Sequence, residues 1–403
     1  MLYILILIVI IYFTYHFDYL GNIRYRDFCY YSLLTVFVLL AGLRYRIGVD
    51  SIRYEEIFKY VSNLYEITEY EIIENEERLD PLYALMSSLA KTISNDFWVL
   101  QLIQSLLVNT IFFRFVRKNT KNLFFAILLY YIVLYANYTC EVMREACAVS
   151  MFLLAWEYFK SNKWIRFYLF SLLAFFFHTS AIVLFVLPIF NLLKIDKLLD
   201  INTKTTIFVL LGIVICGFII QSNFYEYIQI YSINDSLSEK ISRYERKETL
   251  SGAIFNWKGI ISVAIRYVLY PIWAVITLKY SKKISSKLAT MVSWSLFYSM
   301  LMIPIAIFYR FNNYFLPFTI IAISEFAFLD RILSISGKLV IIKGYVTWIL
   351  IFFPLLFVHS YEYFSEVDKT GLKDYMRYYP YYSVISPEED DNRERLFRYH
   401  GAY

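Results

Sequence analysis

The sequence predicts an all-α integral membrane protein of about 12 transmembrane helices, within a range of about 11–14. Three observations predict it. Of the 403 residues 59% are hydrophobic and 18% charged, where a soluble chain carries about a quarter charged residues; the mean hydropathy is +0.50. The apolar residues gather in blocks such as Met1–Tyr15, Leu123–Leu134, Ile207–Ile220 and Thr347–Val358, close to the roughly 20 residues a crossing helix needs. The 39 Tyr and 36 Phe are very frequent, and many Tyr and Trp flank the blocks as an interfacial belt would.

The first block has no basic stretch before it and no small-residue cleavage site after it, so it reads as a span and not as a cleaved signal. The basic loops then set the orientation, because cytoplasmic loops carry the Lys/Arg excess. Arg117, Lys118 and Lys121; Lys160, Lys163 and Arg166; Lys194–Lys204; Lys279, Lys282, Lys283 and Lys287; and Arg331–Lys343 are placed in the cytoplasm, with Arg24 and Arg26 alongside. Between Glu55 and Asp80 nine acids face Lys59 and Arg78, and the tail from Tyr361 to Tyr403 has nine acids and six bases. Both segments, and by parity Asn223–Lys258, are placed outside.

These assignments give spans at 2–17, 28–43, 97–116, 123–138, 141–159, 165–178, 180–192, 205–222, 259–278, 288–308, 311–330 and 344–360, with both termini outside. The spans 165–178 and 180–192 are short and read as half-helices broken near His178, a break tolerated only inside protein or against a cavity. Leu79–Ile93 suits a re-entrant or interfacial helix. The chain therefore divides into a transmembrane domain, 1–360, with outer loops 44–96 and 223–258, and a polar outer tail, 361–403.

Ionisable groups at membrane depth are costly and point to function. The first cluster is Arg44-Tyr-Arg46-Ile-Gly48-Val-Asp50-Ser-Ile-Arg53-Tyr54, where Gly48 permits a tight turn and Asp50 can pair with an arginine. The second is Glu141-Val-Met-Arg144-Glu145, whose i, i+3, i+4 spacing puts three charges on one face of a continuous helix. The third is Phe177-His178-Thr-Ser180, and the fourth is Arg310 in Tyr309-Arg-Phe-Asn312-Asn-Tyr314. Snorkelling arginines, an intrahelical ion pair and a hydrogen-bonded histidine are the bland readings of these clusters. Arg243, Arg246 and Lys247 read as a solvated face. All four clusters fall on the outer side, which points to one anion-binding site near the outer leaflet.

Other chemistries lack their signals. There is no Walker A loop, no G-x-G-x-x-G, no H-E-x-x-H and no D-x-D in the chain. Cys29, Cys140, Cys147 and Cys216 lack metal-ligand spacing and read as small apolar fillers. No metal and no other cofactor is expected. The net charge of +5 sits in short loops and is not a nucleic-acid footprint.

Together the clusters resemble the EpsG family of bacterial envelope proteins, which is similar to the Wzy-type O-antigen and exopolysaccharide polymerases. The matching stretches are Arg44-Tyr-Arg46-Ile-Gly48-Val-Asp50 with Tyr54, Met143-Arg144-Glu145-Ala, Phe177-His178-Thr-Ser180-Ala, and Arg310 with Tyr314, in the family's order. The chain departs from the family pattern with Val49 in place of Thr and Glu145 in place of Gln. The resemblance implies a multi-pass, GT-C-like glycosyltransferase in the bacterial cytoplasmic membrane with its site facing the periplasm. It would join oligosaccharide repeat units carried on a polyprenyl pyrophosphate in exopolysaccharide, capsule or O-antigen synthesis, with membrane lipid and a chain-length regulator as further expected partners. It implies pyrophosphate or sugar binding by Arg44, Arg46, Arg53, Tyr54, Arg144, Arg310 and Tyr314, and a base among Asp50, Glu145, Glu141 and His178. A lipid-linked oligosaccharide flippase, or a membrane acyltransferase acting on envelope sugars, stays open as an alternative.

Overall fold

The computed structural model describes residues 2–65, 79–192, 286–302, 308–328, 331–335, 338–342 and 371–399, with scattered positions in 208–220 and at 305, 356 and 364. The predicted spans 259–278 and 344–360, most of the acidic loop after Tyr65, the outer segment 223–258 and the Arg243–Lys247 set lie outside the described residues. The chain divides into two compact units, Met1–Ala181 with Ala327–Tyr403, and Ile182–Phe326.

In the first unit α1 (Leu2–Phe13) continues through a π-helical stretch to Tyr19, and α2 (Arg26–Gly42) follows. Then come α3 (Val49–Lys59), α4 (Pro81–Ile93), α5 (Phe97–Asn119) and α6 (Leu123–Tyr130). Two π-helical stretches carry α6 on to Glu141, before α7 (Met143–Lys160) and α8 (Trp164–Phe177). Leu2–Tyr19 and Phe97–Asn119 are long and apolar enough to cross a membrane. The other described helices fall short of that length or hydropathy: the predicted span 123–138 passes through π turns, and the short spans 165–178 and 180–192 are separated by a break at His178.

The core lies along α6 and α7. Every residue of α6 is buried, and α7 buries Met143, Ala146–Leu153, Ala155, Trp156 and Phe159. α2 packs on α5, α5 on α7, and α7 on α8. Polar groups tie these helices: Ser105 donates to Val38 O (2.9 Å), Tyr130 to Asn109 Oδ1 (3.0 Å), and Tyr135 to Phe37 O (2.7 Å). In lipid, where apolar faces gain nothing by meeting, such bonds and close packing hold helices together. α1 is different: Ile4, Leu5 and Ile8 are largely exposed, as a lipid-facing helix would be.

Short connections make successive long helices antiparallel, so the unit has two ends. One carries Arg26, Arg117, Lys118 and Lys160. There Arg117 pairs with Asp27 (3.0 Å), and Lys160 donates to Asn119 Oδ1 (3.2 Å). The other carries the loop after α2, the start of α4, the α6–α7 junction and the end of α8. The C-terminal segment Gly371–Tyr399 folds onto this second end. Val384 N donates to Leu43 O, and Tyr45 N to Tyr382 O (2.9 Å each).

In the second unit α9 (Leu187–Leu192) follows a 3₁₀ stretch that begins at Thr179. α10 (Ser286–Leu301), α11 (Phe308–Asn313) and α12 (Leu316–Ala327) follow, beside helical positions within 208–220. Ala289, Val292, Leu296, Met300 and Ala322 form its core.

The basic segment Arg331–Lys343 departs from the all-helical expectation. It forms an antiparallel hairpin of β1 (Arg331–Ile335) and β2 (Lys338–Ile342), with Ile335 opposite Lys338. Its aliphatic runs flank Ser336-Gly337, a hairpin pattern that its basic charge overshadows. The chain is helical apart from this hairpin among the described residues.

Candidate functional site

α2 stops at Gly42, and the loop that follows turns sharply, with Arg46 at φ 48° and Gly48 at φ 89°. The turn separates the two arginines. Arg44 points into the protein and is 1% exposed. It donates to Ala41 O, to Ser51 Oγ (3.2 Å) and to Met143 Sδ (3.4 Å). The carbonyls of a helix's last turn have no intrahelical partner and welcome a cation, so Arg44 closes the end of α2.

Arg46 points the other way. Its Nε and Nη2 donate to the two oxygens of Glu394 at 2.8 and 2.9 Å, and Nη1 lies 3.6 Å from Glu55 on α3. Burial works against its charge, but the Glu394 hydrogen bond and the two carboxylates outweigh that and hold its pKa above the ordinary value. Burial is also the main cause that raises the Glu55 carboxyl above its ordinary range.

The Glu141–Glu145 stretch does not form one helix face. The chain leaves a π turn at Glu141, Val142 sits at φ −94°, ψ 51°, and α7 starts afresh at Met143. Glu141 is held away from α7 by other partners. Its Oε1 accepts from Tyr378 OH (2.7 Å) and Arg377 Nη1 (3.4 Å), and its Oε2 from Asp50 N (3.2 Å). It thus ties the start of α3 to the C-terminal segment. π turns of this kind recur at functional sites.

Arg144 faces α3 and α4. Nε donates to Tyr54 OH (2.9 Å), Nη1 to Asp80 Oδ2 (3.2 Å), and the guanidinium lies 5.4 Å from the Tyr54 ring centre. Asp80 precedes α4 at the cap position but makes no side-chain cap bond; its carboxylate serves Arg144. Glu145 follows in the first turn of α7 and is 1% exposed. Asp50 and Arg53 are partly buried on α3.

α8 runs back beside α7 and ends at Phe177, so the break predicted near His178 is present and lies at the same end of the unit. His178 is extended (φ −162°, ψ 129°). Its Nδ1 is 2.6 Å from Ser180 Oγ and accepts from Ser180 N at 3.2 Å. An Nδ1 that accepts leaves the proton of the neutral ring on Nε2.

The structure thus gathers Arg44, Arg46, Asp50, Arg53, Tyr54, Glu141, Arg144 and Glu145 around the α2–α3 loop and the α6–α7 junction of one unit. Arg310 and Tyr314 belong to the second unit. There Arg310 lies 5.6 Å from the Tyr309 ring centre, Tyr314 is fully buried, and Asn312 bonds Ser295 and Ser299.

The C-terminal segment contributes residues that the sequence reading passed over. Arg393, 1% exposed, donates to Met376 O (3.0 Å), Arg46 O (3.3 Å) and Pro380 O. Arg377 pairs with Glu141 and with Asp374 (2.6 Å). Burial lowers the Arg393 pKa. At Arg377 it does the same, but Tyr378, Glu141 and Asp374 prevail and raise the pKa. The charge of this tail serves in the sequence only to place it outside, and nothing local marks its partners. No group of His, Cys, Asp and Glu that could hold a metal ion occurs among the described residues.

Residues 27–383 match the model of the EpsG family. No curated protein and no solved structure matches the chain.

Proposed function

The chain belongs to the EpsG family, which is linked to exopolysaccharide biosynthesis, and from that premise we propose that it is a polysaccharide polymerase. Its substrates are oligosaccharide repeat units on polyprenyl pyrophosphate, and the site faces the outer side of the bacterial cytoplasmic membrane. The observation that supports this most is the convergence of Arg46, Arg144, Asp50, Tyr54, Glu141 and Glu145 at one end of an apolar helical bundle. Guanidinium forks suit a diphosphate, and carboxylates and tyrosine hydroxyls suit the hydroxyl groups of the sugar it carries.

In the transfer, a sugar hydroxyl oxygen of one lipid-linked unit attacks the anomeric carbon of the growing glycan. The bond from that carbon to the pyrophosphate oxygen breaks, and polyprenyl pyrophosphate leaves with the electron pair. Arg46 and Arg144 offset the charge that develops on the leaving group, a preorganised electrostatic role. Arg53 and Tyr54 extend that wall along α3. Asp50, Glu145 or His178 takes the hydroxyl proton, a step worth roughly 10²–10⁴-fold in rate. Arg44 shapes the loop from within, and Glu141 holds Asp50's backbone in place.

The test is polymerisation of a purified lipid-linked repeat in membranes that contain the full chain. Arg46→Met and Arg144→Met should each abolish the polymer ladder at matched expression. Full-length polymer from both variants would remove the basis of the reading.

A further inference from the structure

Arg46 is held by a residue from outside the family-matched region. The match ends at residue 383, and Glu394 lies on α13 (Asp391–Tyr399). Its two oxygens meet Nε and Nη2 side by side at 2.8 and 2.9 Å. This fork is the geometry in which an arginine also grips two phosphate oxygens. A phosphate group could not take that edge of Arg46 while Glu394 occupies it.

We propose that Glu394 is an internal occupant of the Arg46 anion subsite, and that an organic diphosphate binds there by displacing it. The inference rests on the reading of Arg46 as a pyrophosphate ligand and adds a built-in competitor to it.

The surroundings fit an exchange by side-chain rotation. α13 keeps its seat without Glu394. Leu396 and Phe397 are fully buried, Phe397 packs with Val49 and Ile52, and Arg393 grips three carbonyls. Glu394 stands in the first turn of α13, where the helix dipole favours a carboxylate, so its charge is tolerated once it lets go. Arg46 still has Glu55 near Nη1 at 3.6 Å to steady it. Both side chains of the pair are about one-sixth exposed, 15% and 16%, which leaves solvent access to the fork.

The experiment measures binding of inorganic pyrophosphate to the full chain in lipid nanodiscs by calorimetry, beside polymerisation in membranes. Glu394→Gln keeps the shape and removes the charge. It should tighten pyrophosphate binding about tenfold, or about 1.4 kcal/mol. The gain should vanish in the Arg46→Met/Glu394→Gln double variant. Glu394→Asp withdraws the fork by one methylene and should give a smaller gain; it carries the test if Glu394→Gln does not fold. Unchanged or weaker binding in the folded variants, or a gain that persists without Arg46, overturns the proposal. If tightening occurs but no variant polymerises, the polymerase reading fails and the exchange stands. If polymerisation occurs but pyrophosphate binding ignores Glu394, the reverse holds.

Discussion

Replacing Gly48 by alanine tests the turn that builds the site. Gly48 sits at φ 89°, ψ 139°, a region in which a residue with a side chain is strained by about 1–3 kcal/mol. A Cβ there would lie 2.7 Å from both Cβ and the carbonyl oxygen of Cys140, and 3.1 Å from its carbonyl carbon. Two of these three atoms are backbone and cannot swing aside. Forced overpacking of this kind costs about 1–3 kcal/mol more, so the sum is about 2–6 kcal/mol. The strain has a direction, because pushing Cys140 moves Glu141 beside it and loosens its 3.2 Å bond from Asp50 N.

Gly371 supplies the control. It too has a positive φ, 67°, but a Cβ there meets nothing within 4 Å, so Gly371→Ala carries the conformational strain alone. Thermal unfolding of the full chain in one detergent should therefore rank wild type above Gly371→Ala, and Gly371→Ala above Gly48→Ala. Polymer synthesis should be lost only in Gly48→Ala. Equal melting of the two alanine variants would refute the close approach of the loop to the α6–α7 junction.

Other outcomes follow from the same contacts. Arg393→Met strands three carbonyls, each costing about 1–3 kcal/mol when left buried and unbonded, so hydrogen exchange across 372–399 should accelerate while α5 and α7 stay protected. Glu55 binds its proton more tightly in the folded chain than its ordinary value of 4.5, so stability should fall as pH rises through the window just above that value; Glu55→Gln should flatten this slope in pH-dependent melting. Asp80→Asn removes the charge that pairs Arg144, and should lower polymerisation without shifting the melting point as far as Gly48→Ala does. Cysteines placed at Glu389 and Lys283 should label from opposite faces of the membrane, Glu389 from outside; labelling of both from one face would overturn the orientation.

The site was legible in the sequence where residues act through their own neighbourhood. Gly48 announces a turn, and His178 ends a helix because its ring can accept from Ser180. Arg44, Arg46 and Arg144 stand out because charge in apolar surroundings is costly. Partnership across the chain was not legible. Nothing near Arg46 points to Glu394, 348 residues away, and Asp80 counts only as the last acid of the outer stretch until Arg144 takes its carboxylate. The i, i+3, i+4 reading of Glu141, Arg144 and Glu145 failed for a related reason. It assumed an unbroken helix, whereas distant donors hold Glu141 and the helix restarts at Met143. The hairpin at 331–342 was hidden by the use of charge alone to read that loop.

These partnerships also narrow the chemistry. An ionised carboxylate offers about four lone-pair positions. Glu141 gives three of them to Tyr378, Arg377 and Asp50 N, which suits a strut between α3 and the tail better than a proton acceptor. The search for the base therefore moves to Asp50, Glu145 and His178, and the three can be separated. Asp50→Asn, Glu145→Gln and His178→Ala each remove one acceptor, and loss of a general base costs roughly 10²–10⁴-fold in rate. A variant that keeps near-full polymerisation is not the base. Glu141→Gln provides the contrast: Tyr378 and Asp50 N use different carboxylate oxygens, so the single amide oxygen keeps one of the two bonds and the variant should keep part of the rate, whereas Glu141→Ala should lose it together with protection of the tail. A collapse in Glu141→Gln equal to that in Glu141→Ala, with the tail still protected, would return Glu141 to the role of base.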